Sequence, residues 1–189
     1  MDQNSELERL RVRGGLEVVP RILCVFSART GTDVSVIAAR MRSVVYAAAE
    51  LALAADFEAE EGIPESSIPE WFANACGEDN ARKDYLSQVG AERYMNQQGE
   101  RPWDLQDWLY CFDPARRSWS WWAITSGEDT TVEIWVDTAG EPFFAYDELR
   151  WLAFVSGCES FNAPELHSDG EWTRVAPNEV PARRNGPSL

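Results

Sequence analysis

The residues that could carry general acid–base or nucleophilic chemistry are few and poorly spaced in this chain. There is one histidine, His167, and it follows Cys158 by nine residues. A thiol–imidazole pair made from these two residues would require the C-terminal segment to fold back into a cleft, and no sequence pattern predicts that. A serine hydrolase is not indicated either, because GxSxG is absent and His167 would again be the base. We therefore predict no catalytic residues.

Carboxylates are plentiful, but no pair has the spacing of a catalytic or metal-binding pair. On a strand, Glu133 and Asp137 would share a face at about 13 Å, beyond the roughly 5–9.5 Å of glycosidase pairs. Asp104 and Asp107 have i, i+3 spacing and could share a cation, yet a helix dipole also favours acids in a first turn. We favour the dipole explanation. Since Gly-rich phosphate loops are also absent, the sequence predicts no metal and no cofactor.

Net charge is distributed unevenly and limits the class of partner. The chain carries −15 in total, whereas residues 1–42 contain seven arginines against five acids, so the remaining residues carry −17. Such a surface repels phosphate groups, and the N-terminal arginines are too few to reverse this at physiological salt. We therefore expect no direct nucleic-acid binding. A basic protein is the partner that this charge favours.

Helical signals fill most of the first two thirds of the chain. Apolar residues recur at spacings of three and four after the candidate N-cap residues Thr32 and Asp33, which predicts one long helix over about residues 33–60. We expect a central core helix, with a homodimer through this helix as the alternative. Residues 18–29 fit a buried strand or a helix, and we favour the helix. Shorter helices are predicted over residues 4–13, 69–76, 78–98 (interrupted at Gly90) and 102–111.

The pattern changes after residue 116. Two β-branched and aromatic runs, 117–125 and 130–138, flank the segment Ser-Gly-Glu-Asp and predict a β-hairpin. A brief third strand at 143–145 and a helix from Asp147 to about Val155, ended by Gly157, complete a β-β-α module over about residues 117–157. The predicted fold class is α+β, with a mainly helical N-terminal part, a small antiparallel meander and a C-terminal helix.

One globular domain is predicted over residues 1–161. With 44% hydrophobic and 12% aromatic residues, the chain can bury a substantial core. Residues 162–189 are rich in Pro, Asn, Ser and Gly and have little periodicity, so we expect a flexible or surface-draped tail.

Composition also bears on the cellular environment. The longest apolar stretch, residues 43–57, is shorter than the roughly 20 residues of a membrane span. Four widely spaced cysteines and the lack of a secretion signal at the start indicate neither a zinc site nor a disulfide framework. Sixteen arginines against one lysine suggest a GC-rich genome. We expect a cytoplasmic bacterial protein that does not bind membranes.

The candidate binding surface lies on the hairpin. Between residues 118 and 149 there are seven acids and no Lys or Arg. If the Val and Ile side chains of the second strand point to the core, Trp135 lies on the other face between Glu133 and Asp137, and an aromatic ring framed by carboxylates suits a basic partner. The alternative is that helices cover this face and Trp135 belongs to the core. The predicted partner-binding residues are Glu128, Asp129, Glu133, Trp135 and Asp137.

These patterns predict a non-enzymatic, acidic, tryptophan-rich module that engages a basic protein. In gross composition the chain is similar to bacterial immunity proteins that neutralise nuclease toxins, a likeness that covers no motif. A DNA-mimic inhibitor would use the same physics. One alternative is a structural subunit assembled through the long helix.

The other alternative is a small enzyme or ligand-binding domain with an aromatic pocket. Its pocket would contain a carboxylate such as Asp107, with a raised pKa. The tryptophans that could line it are Trp103, Trp108, Trp119 and Trp121.

Overall fold

A five-stranded antiparallel sheet organises the fold. The computed structural model describes residues 3–11, 19–59, 62–77, 79–128, 130–141 and 143–181. The strands are β1 (Ile22–Thr30), β2 (Ser120–Ser126), β3 (Thr131–Asp137), β4 (Cys158–Phe161) and β5 (Glu165–Ser168). The α-helices are α1 (Gln3–Arg11), α2 (Val34–Ala52), α3 (Glu70–Ala75), α4 (Tyr85–Gln98), α5 (Leu105–Tyr110), α6 (Asp147–Ser156) and α7 (Asp169–Val175). Two 3-10 turns span Asn80–Arg82 and Ala176–Asn178.

The central strand comes from the N-terminal part of the chain. The strand order is β2-β3-β1-β4, and β5 pairs with the other end of β1. The preference for a helix over residues 18–29 was therefore wrong for residues 22–29, which belong to β1. The prediction of a helical N-terminal part followed by a β C-terminal part was also wrong, since β1 precedes most of the helices. The reason is that the run from Leu23 to Phe26 is buried on both faces of the sheet. The sequence of such a strand does not alternate between apolar and polar residues, so its pattern does not distinguish it from a buried helix.

The two faces of the sheet carry separate cores. Val132, Ile134 and Val136 point into the larger core, which is the orientation considered above, and pack there with helices α1 to α6. The second core lies on the opposite face, beneath α7. Trp121 lies in the larger core, and a register shift between Trp121 and Ala123 places the consecutive residues Trp122 and Ala123 both in the smaller one. The buried members of the smaller core are Leu23, Val25, Trp122, Ala123, Trp135 and Trp172.

The long helix begins where its sequence signal places it and ends early. Asp33 caps α2, since its carboxylate accepts the backbone N–H of Ser35 at 2.7 Å. The helix ends at Ala52, whereas the sequence suggested about residue 60. Leu53 and Ala54 are exposed, so packing no longer supports the helix beyond that point. The acids that follow would also meet the negative end of the helix dipole.

Gly90 does not interrupt its helix, contrary to the prediction. Helix α4 is continuous through Gly90, which is buried where α4 crosses α6. A Cβ atom at this position would lie 1.9 Å from the carbonyl oxygen of Phe154. The glycine therefore allows the two helices to approach closely, and this tertiary contact outweighs its low helix propensity.

The β-β-α module is present in its main parts. Strands β2 and β3 form the predicted hairpin, and Gly157, in the left-handed region at φ 118°, ends α6. The brief third strand is absent, because residues 143–145 pair with no strand. Instead the ring of Phe144 packs against Phe26 at a centroid distance of 6.0 Å and against Tyr146 at 5.7 Å.

Much of the expected tail has regular structure. Strand β5 pairs with β1, and α7 starts with a capping box formed by Ser168 and Glu171. Glu179 then forms a bridge with Thr125, and its buried carboxylate lies 3.4 Å from the guanidinium of Arg42. Over residues 165–181 the chain therefore belongs to the fold, while residues 182–189 lie outside the described part. Among the helices described, none combines the length and hydropathy needed to cross a membrane.

Candidate functional site

Trp135 is a core residue and not an exposed aromatic anchor. Its side chain is 1% exposed. The indole Nε1 donates to Thr125 Oγ1 at 3.0 Å, and the ring packs against Trp172 of α7. The structure thus favours the alternative in which a helix covers this face, and the helix that covers it comes from the expected tail.

The predicted acidic residues are spread along the hairpin. Glu128 is exposed in the β2–β3 turn, and Asp129 lies outside the described residues. Glu133 is half-buried and accepts a hydrogen bond from Thr125 Oγ1 at 2.9 Å, while Asp137 accepts the backbone N–H of Ala139 at 2.8 Å. Glu128 and Asp137 therefore lie near opposite ends of β3. Within the described chain, no arginine or lysine forms an ion pair with Glu128, Glu133 or Asp137.

Phe143 is an exposed aromatic ring within the acidic stretch of residues 118–149. Its side chain is 92% exposed, and Glu141, two residues before it, is also exposed. Sequence reasoning missed this residue because it placed residues 143–145 in a strand. The loop between β3 and α6 therefore presents an apolar ring in the part of the sequence that lacks positive charge.

A cavity lies beside the same loop. Its volume is about 270 Å³, and it opens between the end of α5, the start of β2 and the start of α6. Two of the residues that line it, Arg116 and Ala145, are exposed at its opening. Its lining also includes Tyr110, Cys111, Arg117, Trp119 and Glu148.

Glu148 provides the carboxyl group of this cavity. It is 4% exposed, and one carboxylate oxygen accepts a hydrogen bond from the indole N–H of Trp119. Its backbone carbonyl accepts the indole N–H of Trp108 at 3.0 Å. Burial raises the pKa of Glu148, although the Trp119 hydrogen bond and the charge of Arg117 oppose that shift.

Arg117 forms one wall of the cavity and carries little free charge. Its two terminal nitrogens donate to the carboxylate of Glu6 at 2.9 and 2.7 Å. The guanidinium lies 4.1 Å from the ring centroid of Trp119 and 4.4 Å from that of Phe112. Glu6 also accepts the backbone N–H of Trp121 at 2.6 Å. The bidentate pair fixes Arg117 and leaves Glu148 as the buried carboxylate without a full counter-charge.

The thiol of Cys111 reports a negative potential at the cavity. Burial, and to a smaller extent the carboxylates of Glu148, Asp107 and Asp147, raise the pKa of this thiol to about 12. A thiol with this pKa stays protonated at neutral pH and is a poor nucleophile. Cys111 therefore contributes shape to the cavity and not covalent chemistry.

Only part of the predicted aromatic pocket is assembled here. Trp119 lines the cavity, while Trp103 donates to the hydroxyl of Tyr94 at 3.2 Å elsewhere. Trp121 is buried in the larger core, and Asp107 is exposed on α5. The carboxylate in the cavity is that of Glu148 and not that of Asp107. Sequence reasoning missed Glu148. A usable signal was available, since Glu148 has i+3, i+4 and i+7 apolar neighbours and so lies on the buried stripe of α6.

The other candidate constellations do not form sites. Cys158 is buried in the larger core with a pKa raised to about 12 by burial, whereas His167 packs against Trp135 on the opposite face of the sheet. Asp104 caps α5 by accepting the backbone N–H of Gln106 at 2.8 Å and that of Asp107 at 3.3 Å. In the described ranges, no group of three His, Cys, Asp or Glu side chains is placed to hold a metal ion.

Comparison with known proteins identifies no relative. No protein-family model, no curated protein and no solved structure matches this chain significantly.

Proposed function

We propose that this chain is a non-enzymatic, acidic binding module that engages a basic protein. The observation that carries the proposal is the exposed ring of Phe143 in a stretch of 32 residues, 118–149, with seven acids and no lysine or arginine. Aromatic side chains are frequent among the residues that dominate binding energy, and unpaired acids around them attract a partner of opposite charge.

The net charge of −15 supports the same kind of partner. A strongly acidic surface accelerates association with a basic protein and disfavours acidic competitors, and salt weakens this effect. An immunity-like or inhibitor-like role follows if the partner is a nuclease, since the basic site that binds phosphate would be complementary to the acidic module. All four cysteines are free thiols, which suits the reducing cytoplasm that we propose as its location.

Neutralising the unpaired acids should weaken capture of the partner. The variant combines Glu128→Gln, Glu133→Gln, Asp137→Asn and Glu141→Gln, and its matched control combines Asp56→Asn, Glu58→Gln, Glu70→Gln and Glu92→Gln. Both variants remove four negative charges, so non-specific electrostatics change equally. We expect the wild type and the control to retain the same basic protein from a host lysate, identified by mass spectrometry and released by salt, and the first variant to lose it.

The same experiment can contradict the proposal. If no basic protein is retained by the wild type, or if both variants retain it equally, the acidic loop and hairpin are not the binding surface. Phe143→Ala gives a second check, because a side chain that is 92% exposed contributes little to folding. We expect at least a tenfold weaker complex with unchanged thermal stability.

A ligand-binding domain is the second candidate, and the cavity favours it. Trp119 and Glu148 both line the cavity, and burial raises the pKa of the Glu148 carboxyl group. A tryptophan beside a carboxyl group with a raised pKa is what this alternative requires. Assembly through the long helix has weaker support. Ten of the 19 residues of α2 are buried by the same chain, which leaves little apolar surface for a seam.

A further inference from the structure

We propose that the Glu148 cavity accepts a guanidinium or ammonium group at the end of an alkyl chain. The inference rests on the proposed function, because the first source of such a group is an arginine or lysine side chain of the basic partner. A free small amine would supply the same chemistry, and competition with an arginine-rich peptide distinguishes the two sources.

The carboxyl group of Glu148 is placed to receive a cation. One of its oxygens is bound by the Trp119 indole, and no other side chain of the described chain donates to the carboxylate. Because Glu148 is 4% exposed, a cation that reaches it leaves bulk water and pairs at low dielectric, where a charge-assisted hydrogen bond is strong. An incoming cation would also relieve the cost of ionising a buried carboxyl group.

The positive charges around Glu148 are paired with other carboxylates, so one more positive group would be favourable beside it. Arg117 is already neutralised by Glu6 through two hydrogen bonds. Arg116 at the rim is 80% exposed and lies 3.5 Å from the carboxylate of Asp113. Asp107 adds negative potential, which contributes to the raised pKa of Cys111, whereas the carboxylate of Asp147 lies 2.9 Å from the guanidinium of Arg150. The cavity therefore attracts a cation and repels anionic ligands.

The size and lining of the cavity limit what enters. Its volume of about 270 Å³ is below the roughly 300–1,000 Å³ of pockets for drug-sized ligands, so it suits one side chain and not a nucleotide cofactor. The rings of Tyr110 and Trp119 line it, and aromatic walls favour guanidinium and ammonium groups over neutral polar groups. A partner side chain seated here would lie beside the loop that carries Phe143.

The test uses a pair of probes that share a shape and differ in charge. Butylguanidinium and the neutral butylurea are titrated into the full chain by calorimetry. We expect saturable binding of butylguanidinium, at least tenfold tighter than that of butylurea, and at least a tenfold loss in Glu148→Gln, whose folding is checked by thermal unfolding. Ala145→Trp should block the cavity from its exposed rim without touching the Glu148 hydrogen bonds, while Ala163→Trp, at another exposed position, should bind as the wild type does.

The outcomes distinguish this inference from the proposed function. If hexa-arginine peptide competes with butylguanidinium and loses affinity in Glu148→Gln, the cavity takes a partner side chain. If butylguanidinium binds but the peptide does not compete, the cavity takes a free amine and not a partner side chain. If, separately, the four-acid variant captures protein as the wild type does, the acidic loop and hairpin are not the binding surface, whatever the cavity binds. This inference is overturned if butylguanidinium binds no better than butylurea, or if it binds Glu148→Gln as tightly as it binds the wild type. That conclusion holds even if the four-acid variant still loses its protein partner.

Discussion

The indole of Trp172 in α7 lies edge-on against the indole of Trp135 in β3, with ring centroids 5.1 Å apart and an angle of 63° between the planes. The ring of Trp122 in β2 is 6.1 Å from Trp172 on the same side. This contact closes the smaller core, because Trp172 comes from a segment near the C-terminus and covers strands from the middle of the chain. The face of β3 that the sequence left open as a binding surface is therefore buried by the chain itself.

Removing the Trp172 ring should destabilise the fold. Trp172 is 7% exposed, so Trp172→Ala deletes a large buried aromatic side chain and should lower the free energy of unfolding by about 3–5 kcal/mol. Trp172→Phe keeps an aromatic ring and should lose less than half of that. Urea unfolding followed by circular dichroism measures both. A loss below about 1 kcal/mol for Trp172→Ala would mean that α7 is not held on the sheet in solution.

The wrong preference for a helix at residues 18–29 and the regular structure missed in the tail share a physical cause. Local signals located the hairpin, the N-cap Asp33 and the stop at Gly157, because turns and caps depend on residues close in sequence. Strand β1 and the segment that covers Trp135 depend on non-local pairing. A strand buried on both faces and a seven-residue helix carry too little periodicity to be identified alone.

The sequence suggested the cavity only as an alternative to the hairpin surface. That alternative placed a tryptophan and a carboxylate in one pocket, and Trp119 was among the tryptophans considered. Its partner Glu148 is 29 residues away, and the contact arises because the residue before β2 meets the first turn of α6. Acids are usually exposed, so one on the apolar stripe of a helix is easily taken for surface charge.

Gly90 should not tolerate even a methyl group. A Cβ atom there would meet the carbonyl oxygen of Phe154 at 1.9 Å, and backbone cannot move aside as a flexible side chain can. Gly90→Ala should therefore cost about 3 kcal/mol or more by forcing α4 away from α6. Gly170→Ala is the matched control, since its nearest contact is Ser168 Oγ at 3.8 Å. That control should be neutral or slightly stabilising in thermal unfolding, and equal effects of the two substitutions would contradict the close helix crossing.

Removing one member of the Glu6–Arg117 ion pair should lower the stability of the fold by more than the loss of their two hydrogen bonds alone would. The two side chains are 2% and 8% exposed, so Glu6→Gln leaves the buried charge of Arg117 without its partner. Removing one member of a buried pair typically costs about 3–5 kcal/mol. Glu8→Gln, on an exposed position of the same helix, should change stability by less than about 0.5 kcal/mol. Chemical denaturation of both variants decides the matter, and a Glu6→Gln loss as small as that of Glu8→Gln would show that α1 does not anchor the cavity wall.

Ionisation of Glu148 should make the fold less stable as the pH rises. Burial raises the pKa of this carboxyl in the folded chain, against the Trp119 hydrogen bond and the Arg117 charge, while an unfolded glutamate titrates near about 4.3. Between those two values the folded state binds more protons than the unfolded state, so the free energy of unfolding falls with increasing pH across that window.

Glu148→Gln cannot ionise and escapes this loss. Its free energy of unfolding, taken relative to the wild type, should therefore increase from pH 4 upward and level off above the folded pKa of Glu148. Urea titrations of both proteins at half-unit pH steps measure the difference, which cancels the other titrating groups they share. A difference that is constant or falls with pH would mean that Glu148 is ionised at no cost in the folded chain, and the cavity would then have no buried carboxyl whose ionisation a cation relieves.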